Sequence, residues 1–324
     1  MRIHVLALEG VFDLGLAAIL DTFGTAGELA SEPESRPRAT RFDVQLVGLR
    51  KRVRTAQGLT VPVVTAERAG RADVVLIPAP AGKTVLSVAA ALERPDVRDA
   101  AALLARYAAA GATVGAACTG TFLLAASGLL DGRAATTTWW LAPLFRERFP
   151  RVTLDDSRMI VQSGRCVTAG AALAHLDLAL WLVRRRSPAL AALTARYLVV
   201  DSRPSQALFA IPDHLAHADP LVERFETWAR DHLVERFSLS EAARAVGASE
   251  RTLARRLRGV LGKSPLGYVQ DLRVERAVHR LQTSDATLDV IAAEVGYTDG
   301  VTLRTLLRRK IGRGVRDLRQ RAVT

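Results

Sequence analysis

Residues 107–130 read YAAAGATVGAACTGTFLLAASGLL, and none of the 24 is charged. Such a run is long enough to cross a bilayer, which takes about 20 apolar residues. Its glycines argue otherwise. Gly111, Gly115, Gly120 and Gly128 divide it into a helix end, a buried strand at 112–117, a tight turn and a helix at 121–127. No membrane span is expected. A buried strand, a turn and a helix form one repeat of a parallel sheet, whose crossovers lay helices on both faces.

The same alternation extends on both sides of the run. Residues 2–8 (RIHVLAL) are a strand closed by Glu9-Gly10, and a helix is expected over 14–29. Residues 31–41 are polar and proline-containing, a surface loop. Strands follow at 44–49 and 73–78, an alanine-rich helix at 96–110, a strand at 158–168 and a helix at 171–185. That helix carries Leu173, Leu176, Leu180 and Val183 as apolar positions. These elements define an α/β domain with a mostly parallel sheet over residues 1–208. Residues 209–220 (FAIPDHLAHADP) contain two prolines and no periodicity, and are assigned as a linker. From 221 to 324 only short helices and turns are expected, an all-α domain.

The charge is unevenly placed. The chain has 324 residues, a net charge of +12 and 49% hydrophobic residues, so it forms cores and is not a disordered tail. Residues 251–280 hold eight basic and two acidic residues, and 304–321 hold eight and one. The two islands carry +13 and the remaining 276 residues −1. A polyanionic partner is expected there, and not elsewhere. Other classes drop out. Two cysteines, Cys118 and Cys166, make no disulfide scaffold and no zinc cluster. There is no Walker or dinucleotide fingerprint. No metal and no cofactor are expected. The first residues carry Glu9 and Asp13 and no secretory pattern, so a cytoplasmic location is expected.

The first island follows a capping signal. Residues 238–241 (SLSE) place a serine three positions before a glutamate, a capping box. A short helix turns Leu239, Ala242, Ala243 and Val246 inward, Gly247-Ala248-Ser249 is a turn, and a second helix starts at Glu250. At about 100° per residue, Arg251, Arg255 and Arg258 share one face and Leu253, Leu257 and Val260 the opposite one. This is a helix-turn-helix pattern. It recurs. Residues 288–295 form a short helix, 296–299 a turn, and 300–311 a helix with Leu303, Leu307 and Ile311 inward and Val301, Arg304, Thr305 and Arg308 outward. A long helix over 266–281, with Tyr268, Leu272, Ala277 and Leu281 as core, separates the two.

Residues 221–321 resemble the AraC-type DNA-binding domain. The resemblance rests on SLSEAARAVGASERTLARRLRGVLGKSPLGYVQDLRVERAVHRL and TLDVIAAEVGYTDGVTLRTLLRRKIG, above all on the turns at Gly262-Lys263-Ser264-Pro265 and Val295-Gly296-Tyr297. It implies double-stranded DNA as partner, with each recognition helix in a major groove and successive grooves about 34 Å apart. By position it implies Arg251, Thr252, Ala254, Arg255 and Arg256 as contacts from the first helix. From the second it implies Val301, Thr302, Arg304, Thr305, Arg308 and Arg309. Arginine reads guanine edges well, and Ala254 offers only contact to a thymine methyl. The chain departs from the family at Gly300 and Val301, where polar residues are usual, and at Val315 and Leu318 in place of a proline and a tyrosine. The second helix is therefore expected to anchor phosphate more than to read bases. Arg256, Lys263, Arg308, Arg309 and Lys310 are the phosphate candidates.

In the first domain, TVGAACTG (113–120) ends a strand on Cys118 and begins a helix, the pattern of a nucleophile elbow. A thiol there feels the positive end of the helix dipole, and the alternative is a buried inert cysteine. The segments GAACTGTFLLAASGLLDGRAATTTWW and TAGAALAHLDLALWLV resemble the PfpI-like domain of the glutamine amidotransferase superfamily. ARYLVVDSRPSQALF resembles the segment that closes this domain in AraC-type regulators of the GlxA kind. The resemblance implies a flavodoxin-like, PfpI-like α/β sandwich that senses a small-molecule effector. Its pocket residues would be Cys118, Thr119, Thr138 and Asp21. It also implies a homodimer. Thr138 stands where a histidine commonly precedes Trp139, and Gly15 replaces one of the acidic positions near Asp13 and Asp21. His175 is read as structural and Cys166 as core. The elbow without its base points to a non-catalytic sensor. A cysteine hydrolase or amidase fused to a DNA-binding domain, and a sensor using Cys118 oxidation, are the alternatives.

Overall fold

The computed structural model describes residues 1–31, 41–80, 82, 84–201, 203–209 and 219–320. Residues 210–218 of the expected linker lie outside the described residues. The chain divides into two units, Met1–Pro204 and Ser205–Thr324.

In chain order the first unit holds β1 (Arg2–Leu6), α1 (Asp13–Ser31), β2 (Asp43–Gly48), β3 (Arg52–Arg54), β4 (Thr60–Pro62), β5 (Val64–Thr65) and α2 (Ala66–Ala69). Then come β6 (Val74–Ile77), α3 (Val85–Leu92), α4 (Pro95–Ala109), β7 (Thr113–Ala117), α5 (Gly120–Ala126), β8 (Ala134–Ala135) and α6 (Ala142–Arg148). The strands β9 (Thr153–Leu154), β10 (Ile160–Ser163) and β11 (Cys166–Ala169) and the helices α7 (Ala174–Arg186) and α8 (Pro188–Tyr197) complete it.

Seven strands form one sheet in the order β10-β11-β7-β6-β1-β2-β5. All pairs are parallel except β10 with β11 at one edge. The alternation of side chains along each strand feeds two apolar layers. Val5, Leu76 and Val167 join α1, α7 and α8 on one face. Leu6, Val75, Ile77 and Val114 join α4, α5 and α6 on the other. The uncharged run 107–130 is thus the end of α4, then β7, then α5 and the turn beyond it. No helix among the described residues is long and apolar enough to cross a membrane.

The single strand expected at 158–168 is instead a hairpin. Gly164 takes φ +60° and lets the chain reverse, so that Ser163 pairs with Cys166. Gly164-Arg165 is the two-residue loop that such pairing needs.

From β1 the chain moves toward β2, and from β6 toward β7 on the opposite side. Its direction reverses between β1 and β6. In open α/β sheets the loops leaving such a point frame the crevice where ligands bind.

The second unit holds α9 (Pro220–Asp231), α10 (Leu239–Ala245), α11 (Glu250–Leu261), α12 (Pro265–Thr283), α13 (Leu288–Glu294), α14 (Gly300–Ile311) and α15 (Val315–Gln320). The pairs α10–α11 and α13–α14 are the two helix-turn-helix motifs, and α12 lies between them. Tyr268, Leu272, Ala277 and Leu281 on α12 are all buried. Serine starts the first motif as expected. Ser238 accepts from the Glu241 amide at 3.4 Å, while its hydroxyl also meets that of Ser240 at 3.0 Å.

Candidate nucleic-acid interface and elbow pocket

The two recognition helices are built alike. In α11, Ser249 accepts from the Thr252 amide (3.1 Å), and Gly262 closes the helix in the left-handed region at φ +67°. In α14, Asp299 accepts from the Thr302 amide (2.7 Å), and Gly312 closes it at φ +73°. Each N-cap satisfies an amide that the first helical turn leaves without a partner. The left-handed glycine lets the chain leave without steric cost. Leu253, Leu257 and Leu261 are buried under α11, and Leu303, Leu306, Leu307 and Ile311 under α14.

The opposite faces point outward. Arg251, Arg255, Arg256 and Arg258 are exposed, and Thr252 and Ala254 are half-buried. On α14, Val301, Thr302, Arg304, Thr305, Arg308 and Arg309 are exposed. Gly300 is buried because its amide donates to Asp289 Oδ1 at 2.8 Å, and a Cβ there would sit 2.7 Å from that oxygen.

The hydroxyls on both helices serve the helices themselves. Thr252 bonds the Ser249 hydroxyl (2.9 Å), Thr302 donates to Asp299 (3.0 Å), and Thr305 donates to the Val301 carbonyl (3.0 Å). Among the phosphate candidates, Arg256 pairs with Asp219 (3.3 Å) and Arg309 donates to Gln270 (3.2 Å). Lys263 and Lys310 both pair with Asp271. Sequence reasoning missed Asp271, whose partners lie far apart along the chain. Arg308 has no partner of this kind among the described residues.

In the first unit the elbow takes the expected geometry. Cys118 has φ +55°, a conformation uncommon for a residue with a Cβ, and is buried at 6% exposure. Its amide donates to the carbonyls of Ala169 (3.0 Å) and Gly170 (2.8 Å), and its carbonyl accepts from Thr137 Oγ1 (2.8 Å). Gly120 follows because nothing larger fits. A Cβ there would stand 2.6 Å from the Ile77 carbonyl oxygen.

The loops at the carboxyl ends of the strands meet around this turn. Thr119 Oγ1 donates to the Pro80 carbonyl (3.0 Å), and the Phe12 amide donates to the Ala79 carbonyl (2.8 Å). The Ala79 amide donates to His175 Nε2 (2.9 Å), and His175 Nδ1 donates to the Ala172 carbonyl (2.5 Å). Burial drives the His175 pKa down to about 4, so the ring is neutral and both nitrogens are engaged. The ring fills the space beside Gly15, where a Cβ would come within 2.7 Å of Nε2.

Of the four pocket residues expected from the sequence, three lie at this turn. Cys118 and Thr119 form it, and Thr138 follows the Thr137 that bonds the Cys118 carbonyl. The Thr138 hydroxyl is fully buried and has no hydrogen-bond partner among the described residues. Asp21 is exposed along α1. Asp13, in the first turn of that helix, is the acid nearer the strand ends. One of its carboxyl oxygens accepts from the Gln57 amide (3.0 Å), and the other is buried without a partner among the described residues. Thr121 Oγ1 is likewise buried and, among the described residues, unpartnered. Its position inside an apolar helix gave no signal in the sequence. Cys166 packs in the core, where burial pushes its thiol pKa up.

A seven-stranded α/β sheet with a cysteine elbow, followed by two capped helix-turn-helix motifs, defines a two-part protein with a strained elbow turn in one part and exposed basic helix faces in the other. Known proteins give those parts their names. Residues 242–321 match the family model described as "Helix-turn-helix domain". The chain is 28% identical over 233 residues to the HTH-type transcriptional regulator GbdR of Pseudomonas aeruginosa, covering 71% of this chain and 63% of that protein. It is 30% identical over 213 residues to the HTH-type transcriptional regulator ArgR of the same species, covering 64% of each. It is 28% identical over 228 residues to the HTH-type transcriptional regulator GlxA of Rhizobium meliloti, covering 68% of each. The chain thus spans just under two thirds of the length of GbdR and ArgR.

Solved structures share the fold. A crystal structure of an AraC family transcriptional regulator from Pseudomonas putida superposes with a TM-score of 0.50 at 21% identity, over 61% of this chain and 98% of that one. A THiJ/PfpI family protein from Pseudomonas syringae superposes with a TM-score of 0.51 at 20% identity, over 76% of this chain and 90% of that one. The chain thus carries a helix-turn-helix domain preceded by an α/β domain with the fold of these solved structures, and the curated relatives it matches are transcriptional regulators.

Proposed function

We propose that this protein is a cytoplasmic, ligand-responsive transcription regulator that binds double-stranded DNA through α11 and α14 as a homodimer. One observation carries this. Two helices with the same caps and the same buried leucine face turn Arg251, Arg255, Arg304 and Arg308 outward within a domain matching the helix-turn-helix model. Cationic side chains on a groove-sized helix supply both phosphate attraction and guanine readout. The test is binding of the full chain to duplex DNA across a salt series. Affinity falling steeply with salt is the expected result. Salt-independent or undetectable binding overturns the reading.

The α/β domain is read as the sensor, with Cys118, Thr119 and Thr138 at its pocket and Asp13 in place of the exposed Asp21. The buried hydroxyl of Thr138, unpaired among the described residues, supports a polar ligand, since a buried polar atom without a partner costs about 1–3 kcal/mol that a ligand offsets. The engaged nitrogens of His175 support a sensor over a cysteine hydrolase, because that ring has no lone pair left to take a proton from a thiol. Thermal-shift screening of amines and amino acids tests the pocket, as a bound ligand raises the melting temperature. Cys118→Ala should leave DNA affinity unchanged and alter only the response to such a ligand. A hydrolytic activity that Cys118→Ala abolishes would favour the enzyme instead.

A further inference from the structure

Acidic residues are scarce where the basic ones gather. Residues 251–280 hold eight basic side chains against only Asp271 and Glu275. A carboxylate near a phosphate-binding face opposes what that face attracts. Asp271 nevertheless sits on α12 with an ammonium on each oxygen. Lys263 Nζ lies 2.7 Å from Oδ2, and Lys310 Nζ lies 2.7 Å from Oδ1.

The two lysines come from corresponding places. Lys263 directly follows the Gly262 cap of α11, and Lys310 stands in the last turn of α14, two residues before the Gly312 cap. One carboxylate therefore fastens the ends of both recognition helices to the same point of the helix between them. The adjacent Gln270 takes Arg309 at 3.2 Å. All three charged groups are partly buried, with 19% of the Asp271 side chain exposed and 28% and 26% of the lysines.

The cluster under the second motif draws on Val274–Leu318 and includes no residue of α10 or α11. Polar groups of α12 reach both halves. Besides Asp271, the buried Arg273 donates to the Leu233 (2.9 Å) and Glu235 (2.6 Å) carbonyls ahead of α10 and covers the Tyr297 ring of the second turn at 5.0 Å. An isolated exposed ion pair contributes little. Two pairs sharing one partly buried carboxylate, each at a helix end, constrain direction as well as distance.

We infer that Asp271 is a specificity-determining positioning residue: it holds the two recognition helices in register and so sets the separation of the two DNA blocks the chain reads. This rests on the DNA-binding reading proposed above. The test uses the full chain and a random-sequence duplex library, followed by affinity measurements on the selected duplex and on the same duplex with one base pair inserted between its blocks. Wild type should select two blocks about one helical turn apart and lose about tenfold or more in affinity on the insertion. With Asp271→Asn, and with Lys263→Met and Lys310→Met combined, the loss should shrink to about threefold or less. In Asp271→Asn each block alone should bind as in wild type, whereas the paired lysine variant is judged only by the ratio of its affinities for the two duplexes, since losing two cations weakens binding to both alike.

An insertion penalty that stays at the wild-type level in Asp271→Asn overturns the inference, whether or not overall affinity falls. If Asp271→Asn does not fold, the paired lysine variant decides in its place: a shrunken penalty supports the inference and an unchanged one overturns it. A wild-type chain that selects no sequence overturns the DNA-binding reading and this inference together.

Discussion

The recognition helices α11 and α14 have the same frame and different faces. Both start on a side-chain oxygen that accepts the amide three residues on, both end on a left-handed glycine, and both bury leucines. Outside, α11 presents Arg251 and Arg255 at its first turns, whereas α14 presents Val301, which is 68% exposed. Caps and inward leucines make the motif; outward residues decide what it reads. The first set can repeat within one chain while the second set diverges, because the leucines and the arginines occupy opposite faces of each helix.

That separation can be broken experimentally. The largest effects should fall on the shared frame. Leu253→Ala and Leu303→Ala each empty a fully buried site and should each destabilise the second unit by about 2–5 kcal/mol. Chemical denaturation that shows one loss far below the other would mean the frames are not equivalent. The faces should then differ. Arg251→Ala should cost about 1–3 kcal/mol on a selected duplex and relax discrimination at one position, while Val301→Ala changes discrimination much less. Competition against single-base variants reads this directly, and equal effects would erase the contrast between the helices.

A smaller effect separates reading from anchoring. Arg308→Ala should weaken binding to every duplex alike and reduce the slope of log affinity against log salt by about one. A sequence-dependent loss would move Arg308 to the reading group. The smallest contrast is between the caps. Asp299 is held below its usual 3.8 by the Thr302 amide and then its hydroxyl. Its contribution is therefore present at neutral pH and is lost as pH falls below about 4 through the lowered value. Ser249 has no proton to gain in that range. Amide exchange should show the Thr302 amide losing protection on acidification before the Thr252 amide does, and Asp299→Asn should remove the difference. Parallel loss at both amides would show that the caps respond alike.

The legibility of these features in the sequence follows their range. The motifs are readable because their signals are local: a cap, a leucine period and a glycine lie within a dozen residues. The elbow is readable for the same reason, since Gly115, Ala117 and Gly120 bracket Cys118 within six positions. The hairpin of β10 and β11 reads as one strand although Gly164 marks its turn, because four-residue strands leave little alternation to count. The small hairpin β3–β4 escapes on the same ground. Contacts between distant positions leave no trace. Nothing local ties Asp271 to Lys310, or Ala79 to His175. Motif position alone favours Asp21 over Asp13, and only the burial of the two carboxylates separates them.

The close approach of the His175 ring to Gly15 constrains how this sequence can drift. The imidazole occupies the volume that any side chain at position 15 would need, so position 15 can gain a side chain only if the ring at 175 moves or is replaced. An acid at 15, as the resemblance to PfpI-like domains places there, and a histidine at 175 exclude one another. A chain that regained the acid would have to shed the ring and find the Ala79 amide a new acceptor. Any side chain gained at 15 is therefore tied to a change at 175 and to a new partner for the Ala79 amide.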